Sequence, residues 1–509
     1  MSVYLAEIKG YDVLNSLEKT LYFSTESIVA FSSADADRAN QFYEPRIKDI
    51  GSYQRSMFGS GRTAGQSATN AGTISIDNAD GLLDYLQDWG FSGRSIKLYR
   101  GVEGYAFNTF DLILNATIKQ PVFNYDGKSA STLDFTLVDR QAELDKPIQA
   151  TLYLGTNSGA TGNEGLPDDI KGQPKPLCFG NCFNITAVPC NTSALRYQVH
   201  DGAINAVLAV RDKGVALTYN ATPAAGQYSE DLSTGIITLG SSPAGTVTAD
   251  IEGAKPVTYL TTVADIAEHI IKTHGSIIAG DIDSTSLSAL NTANSALVGL
   301  YINSEQSISS VLDELCASIG SYWLFNQNGV FCMGLLTAPT GAADYEINDI
   351  YANEVTRTQS SDEDRGVPVY LVKVDYKKNH TTQAADSLAG SVSDALRAEL
   401  EKEFRTATDT DVSIQTAHLL SPQITRITRL AVEADAISES TRLLTLYKTR
   451  RYFYRLALPD LVDFATVDLG ETVNLTLDRF GLDAGKLFLI TSVTRNAPRI
   501  DELEIEVWG

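Results

Sequence analysis

The chain has 509 residues, 43% of them hydrophobic and 20% charged, with 63 Asp and Glu against 40 Lys and Arg and a formal net charge of −23. That length exceeds what one hydrophobic core sustains and implies about three or four domains. A chain this acidic lacks the clustered Lys and Arg that tight phosphate-backbone binding requires. It holds no run near the roughly 20 apolar residues that span a bilayer, and its opening residues show no basic segment followed by an apolar one.

Residues 1–153 are mostly strand by pattern. Leu21–Phe23 and Ile28–Phe31 are candidate strands, and Gln41–Arg62, rich in Gly, Ser and Arg, reads as a loop-bearing region. Gly72–Gly101 reads strand, short helix, turn, strand. Ile74 and Ile76 alternate with polar residues, and Asn78-Ala-Asp80-Gly81 punctuates. Leu82, Leu83 and Leu86 predict a helix of about two turns with one apolar face, and Ile96 and Leu98 mark the second strand. Asp111–Asn115 and Leu133–Val138 are further strands, and Asp126-Gly127 is a hairpin turn signal.

Residues 154–176 carry five glycines and three prolines and read as a linker. Residues 177–255 read as a small all-β insertion. Residues 256–345 read as α+β: helices over Thr261–His274, with Thr262 and Asp265 resembling a capping box, and over Ser304–Ile319, then a hairpin turning at Asn328-Gly329. Residues 346–450 mix a strand at Val369–Tyr376 with helices over Ser393–Phe404 and Leu430–Tyr447. The second of these places Leu430, Ala434, Ile437, Thr441 and Leu444 near heptad spacing. Residues 451–509 return to β, with alternation at Tyr454–Leu458, Val473–Leu477, Phe488–Ile490 and Leu503–Val507. The fold class is therefore α+β, a β-rich multidomain chain.

Little in the sequence is arranged for chemistry. His269 and His274 lie five apart and are expected on different faces of one helix, and there is no HExxH. Gly59-Ser-Gly61-Arg62-Thr-Ala-Gly65 superficially resembles a phosphate loop but lacks the Lys-Ser/Thr pair. Asp281 and Asp283 lack the glycine and closing Glu of an EF-hand. Asp362-Glu363-Asp364 reads as a solvated acidic loop. Cys178, Cys182 and Cys190 are close enough in sequence to begin a zinc or iron–sulfur site, which needs four ligands, with Cys316 or Cys332 as the fourth. Their spacing matches no standard pattern, and the other reading is buried, small apolar cysteines. An odd count of five does not suggest a disulfide framework and fits a reducing compartment of synthesis. The net charge reads either as solubility and self-repulsion or as the acidic lining of a passage through which DNA slides.

Three blocks carry a resemblance. They are Tyr43-Glu44-Pro45-Arg46, Arg55, Gly61-Arg62 and Gly65 with Asn78-Ala-Asp80-Gly81, Gly93-Arg94 and Tyr99-Arg100-Gly101; then Pro176–Gly180 with Tyr197–Gly202; and Leu469-Gly470-Glu471 with Arg479–Leu482 and Gly485-Lys486. In these the chain resembles tail-tip and baseplate hub proteins of long-tailed bacteriophages and gene transfer agents. The resemblance implies tail-tube-like β-barrel or sandwich domains, helix-containing hub domains and a non-enzymatic virion protein at the tail tip, made in the host bacterial cytoplasm. It implies a ring of copies, three as in hubs or six as in distal-tail proteins. The neighbours would be the tail tube or distal tail protein, the tape measure protein and tail fibres, with DNA only as passing cargo. Some such hubs hold an iron–sulfur cluster on four cysteines; the clustered cysteines here are one short. Arg62, Arg94 and Arg100 are then candidates for contacts between subunits. The competing readings are a tail-associated enzyme that degrades the host envelope, which needs paired carboxylates, a zinc triad or a Cys/His pair, and a glycan-binding adhesin.

Overall fold

The computed structural model describes residues 2–25, 29–125, 131–459, 464–496 and 502–509. The Asp126-Gly127 turn lies outside them. The architecture is β-rich with few helices, in several sheets, as the residue pattern predicts.

The N-terminal part forms an eleven-stranded sheet. Its path starts at Val29–Ala30 and Phe42–Pro45, then crosses Leu17–Ser24, Ser2–Asp12, Arg94–Val102 and Asp111–Ile118. It finishes through Thr132–Val138 and Thr73–Asp77 at Ile47–Asp49. Strands near opposite ends of this path, Phe42–Pro45 and Ile47–Asp49, are separated in sequence by Arg46 alone. The sheet therefore curls back on itself into a near-barrel, with Arg46 at the seam. Ile74 and Ile76 pair in register with Phe135 and Leu133, and all four are fully buried in its core. At about 1.5–3 kcal/mol for each such side chain, this alternation is a principal support of the unit.

The predicted two-turn helix is instead one 3-10 turn, Asp84–Asp88. Asn78 Oδ1 accepts the Leu83 N–H at 2.9 Å and Asp80 Oδ1 accepts that of Leu82 at 3.0 Å. These side chains hold the segment in turn geometry. Leu83 and Leu86 are buried, whereas Leu82 is 67% exposed. Gln41–Arg62, read as loop-bearing, contains three short strands, the last of which, Tyr53–Ser56, leaves the near-barrel.

Leu177–Ala254 is all strand and turn, in two five-stranded sheets, one completed by Gly299–Ile302. Gly180 faces Gly299 in that pairing, and a Cβ on Gly180, whose φ is +65°, would stand 1.9 Å from the Val298 carbonyl oxygen. Residues 154–176 form no helix or strand, yet Tyr153 and Ile170 pack with Cys190 in a small apolar cluster.

The helices Val263–Thr273 and Ile308–Ala317 bury the expected faces, capped by Thr262 and Ser307. Between them Ser284–Ala293 is a helix that no strong periodicity announced; Asp283 caps it through the N–H groups of Thr285 and Ser286. Asp281 pairs with Arg140. In Glu433–Tyr447 the buried residues are Ala436, Glu439, Ser440, Leu443, Leu444, Leu446 and Tyr447; of the predicted heptad positions Leu430, which precedes the helix, and Leu444 are buried, whereas Ile437 is exposed. Glu439 can be buried among them because Arg442 pairs with it and also donates to the carbonyls of Leu336 and Ile319.

Candidate functional site

The segment 53–71 links the two ends of the chain. Tyr53–Ser56 pairs antiparallel with Leu482–Arg495, with Arg55 opposite Val493, and Ala68–Ala71 pairs in turn with Tyr53–Ser56. This hairpin becomes part of the C-terminal eight-stranded sheet. Arg55, 4% exposed, makes a 2.7 Å ion pair with Asp468 and donates to the Phe325 carbonyl. Asp468 also accepts the Gln327 N–H at 2.8 Å. The Tyr53 hydroxyl donates to the buried Asp139 carboxylate. Burial raises both the Asp139 carboxyl and the Tyr53 hydroxyl above their ordinary ranges. One buried network thus ties the near-barrel, the hairpin Ser321–Leu335 and the C-terminal sheet together.

The glycine-rich loop after this strand does cradle anions, and they are the protein's own. The Gly61 N–H donates to Glu506 Oε1 at 2.8 Å and Ser60 Oγ to Glu506 Oε2 at 3.0 Å. The Thr63 N–H and hydroxyl both reach Asp362, and Thr63 Oγ1 lies 3.0 Å from the Tyr447 hydroxyl. Asp362 therefore fastens the loop and is not a merely solvated acid. No apolar strand and Lys-Ser/Thr pair were needed, because the charge is supplied by carboxylates from distant segments.

Arg46 closes the near-barrel seam by pairing with Glu44 at 2.6 Å and Asp80 at 2.8 Å while donating to the Asp77 carbonyl. Of the three arginines expected between subunits, Arg62 is exposed. Arg94 is half-buried, paired with Glu18 and set 5.0 Å from the Tyr11 ring. Arg100 is 5% exposed, which leaves almost none of it for a neighbouring chain.

The three clustered cysteines fall in two places. Cys178 and Cys182 share the core of the Leu177–Ala254 sheets, while Cys190 packs with Tyr153 and Ile170. Cys316 belongs to a third cluster. Burial pushes the Cys178 thiol well above its usual range, helped by adjacent Cys182, and pushes that of Cys190 up to about 11. Among the described residues no three His, Cys, Asp or Glu side chains are grouped to hold a metal ion. The histidines do converge. His269 and His274 stand 6.1 Å apart between ring centroids, and both, with His200, meet the Phe179 ring edge-on. His274 follows the last helical residue, so its position is not governed by the helical face.

Several clefts are open among the described residues, and two of them bear on function. One, of about 480 Å³, is lined by Gln66, Asp145, Ser309, Asp313 and Trp323. Burial pushes the Asp313 carboxyl up to about 6, against hydrogen bonds from Trp323 and Gln66. The second, of about 530 Å³, lies where the Leu177–Thr186 strand meets the Leu371–Tyr376 strand, and its walls mix Lys377, Lys378, Arg405 and Arg429 with Asp250, Glu399 and Glu433. Sequence reasoning missed both, since each draws on segments far apart in the chain; the adjacent Lys377-Lys378 pair was the only local signal.

No family model matches the chain, and no curated protein matches it. Among solved structures, the tail protein from Neisseria meningitidis MC58 is similar at 9% identity and a TM-score of 0.45, over 99% of this chain and 96% of that one. A chain of the native gene transfer agent virion particle is similar at 13% identity and a TM-score of 0.44, over 71% and 91%. The prophage tail protein gp18 from Listeria monocytogenes EGD-e is similar at 10% identity and a TM-score of 0.41, over 100% and 94%. Among the described residues no helix is long and apolar enough to cross a membrane.

Proposed function

We propose that this chain is a structural component of a phage-type tail, serving as the central hub of a tail tip or baseplate. A ring of copies would join the tail tube to fibres and surround the channel through which DNA leaves. Three copies are proposed, six being the alternative, next to the tail tube or distal tail protein, the tape measure protein and the fibres. The observation that carries the reading is the use made of the residues in the resemblance blocks. Arg46 and Asp80 close the near-barrel, Arg55 fastens the two ends of the chain together, Gly61 holds Glu506, and Gly180 admits a neighbouring backbone. Each has a scaffold contact and none faces a reactive partner. An excess of 63 acidic over 40 basic residues suits a channel wall that repels DNA instead of holding it. Cryo-EM of the assembled particle tests this: density for the chain is expected around the tail axis, and density at a fibre tip away from that axis overturns the reading.

A second reading, a host-envelope-degrading enzyme, draws on the cleft that holds Asp313 and Asp145. One carboxyl there is raised into the range of a general acid and the other is exposed, the division of labour of glycoside hydrolysis. Clearing of peptidoglycan by the purified chain, lost in Asp313→Asn, would put this reading ahead of the first.

A further inference from the structure

A cleft of about 260 Å³ opens at the end of the edge strand Glu354–Thr358, where Arg357, Arg365, Arg450 and Arg451 line it together with Tyr452. Among the described residues that line it, none is Asp or Glu. That is unusual in a chain with 63 acidic against 40 basic residues. Elsewhere Arg46, Arg55, Arg211, Arg405 and Arg442 each pair with a carboxylate of the same chain. The side chains of Arg357, Arg365 and Arg450 form no hydrogen bond or ion pair with a described residue, and all three residues are exposed.

Three segments hold these cations in place. Strand pairing sets Arg357 opposite Tyr454 and Thr358 opposite Phe453, which brings the end of the edge strand beside residues 450–452. Tyr452 is fixed by two backbone bonds with Gly509, of 2.9 and 3.2 Å. Arg357 and Arg450 lie over its ring, 3.6 and 5.3 Å from the centroid. Such stacking orients a guanidinium and leaves its N–H edge free to donate. Arg451 donates to the Leu446 carbonyl and lies 5.1 Å from the Trp508 ring. Arg365 stands at φ +52° in the turn that borders the cleft, its N–H donating to the Asp362 carbonyl at 2.9 Å. The acids beside it are occupied elsewhere. Asp362 accepts from Thr63 and Ser360, and Asp364 accepts the Gly366 N–H at 3.0 Å, both on the neighbouring cavity around Tyr447. Four cations gathered without a carboxylate repel one another, and a bound anion removes that cost.

We propose that this cleft binds a diphosphate group, free or carried by a nucleoside, between Arg357, Arg365 and Arg450. A planar carboxylate satisfies one guanidinium fork, whereas tetrahedral phosphates offer oxygens to donors that arrive from three segments. Several negative charges are needed to balance four arginines, and a diphosphate supplies them within one compact group. A nucleic-acid strand would call for a basic groove that tracks its backbone, and this cleft is a bounded pocket in an acidic chain. The site does not depend on the tail reading, because the arginines are gathered within a single chain.

Isothermal titration calorimetry on the full chain at matched ionic strength tests the proposal. Pyrophosphate is expected to bind at a single site, about tenfold more tightly than orthophosphate. Arg357→Gln and Arg450→Gln, both at exposed positions, should each weaken pyrophosphate about tenfold, as loss of one charge-assisted contact. Lys255→Gln, exposed and outside the cleft, should keep wild-type affinity. ADP bound more tightly than pyrophosphate assigns the nucleoside ester as the ligand, and equal or weaker binding assigns the free diphosphate. Orthophosphate binding as tightly as pyrophosphate, wild-type affinity in both arginine variants, or an oligothymidylate bound more tightly than either diphosphate overturns the proposal. Phosphorus NMR of pyrophosphate with the unsubstituted chain gives an independent decision: broadened lines are expected, and unchanged ones overturn the site.

Discussion

Arg55 and Asp468 form a buried ion pair at 2.7 Å between a strand near the start of the chain and the stretch just before the last three strands. Removing one partner leaves the other charge buried without compensation, so Arg55→Ala should cost about 3–5 kcal/mol in chemical unfolding. Arg55→Met with Asp468→Leu should recover most of that loss, because both charges are then gone. A single Ala substitution that costs nothing would show that the pair does not hold the ends together.

Gly61 is the point where the glycine-rich loop meets the acidic residues that fasten it. Its φ is +68°, and an added Cβ would stand 2.9 Å from Ser361 Oγ and 3.3 Å from the Gln359 carbonyl oxygen. Gly61→Ala should therefore destabilise by about 1–2 kcal/mol from backbone geometry alone. Faster proteolysis within residues 59–65 should accompany it, and unaltered cleavage would contradict the docking described for the loop.

Acid should weaken the fold through two histidines. Burial, with His269 and His274 nearby, lowers His200 from 6.5 to about 4; burial, with Lys378 and Arg429 nearby, lowers His380 from 6.5 to about 3. Below about pH 6.5 the unfolded chain takes up these protons and the folded chain does not, so stability falls as pH drops toward 4. Asp313 acts in the opposite sense. Its carboxyl titrates at about 6 when folded against 3.8 ordinarily, so between those values the folded chain binds the extra proton. His200→Gln should flatten the pH dependence of the unfolding free energy, and Asp313→Asn should steepen it. Identical slopes in all three proteins would refute the assignment.

If copies assemble as proposed, Arg62 is the arginine free to reach a neighbour. Arg62→Glu should reduce the assembled fraction in sedimentation, whereas Arg94→Ala should only loosen the Glu18 and Tyr11 contacts within one chain. Assembly lost in Arg94→Ala but kept in Arg62→Glu would reverse that choice.

Local pattern settled a great deal of this protein. Ile74 and Ile76, Leu133 to Leu137, the face of Val263–Thr273 and the hairpin at Asn328-Gly329 follow from periodicity and turn chemistry acting over a few residues. Tertiary structure decided what periodicity cannot encode. The apolar spacing of Leu82–Leu86 lost to side-chain capping from Asn78 and Asp80, and after Leu430 the heptad spacing holds at Leu444 but not at Ile437, while an Arg442–Glu439 pair buries a charge beside it. The near-barrel seam at Arg46 depends on Asp80, 34 positions along the chain, and the transfer of Tyr53–Ser56 into the C-terminal sheet and both clefts depend on segments much farther apart. Those pairings are chosen by which polar groups can satisfy one another once buried, and a linear sequence does not state that choice.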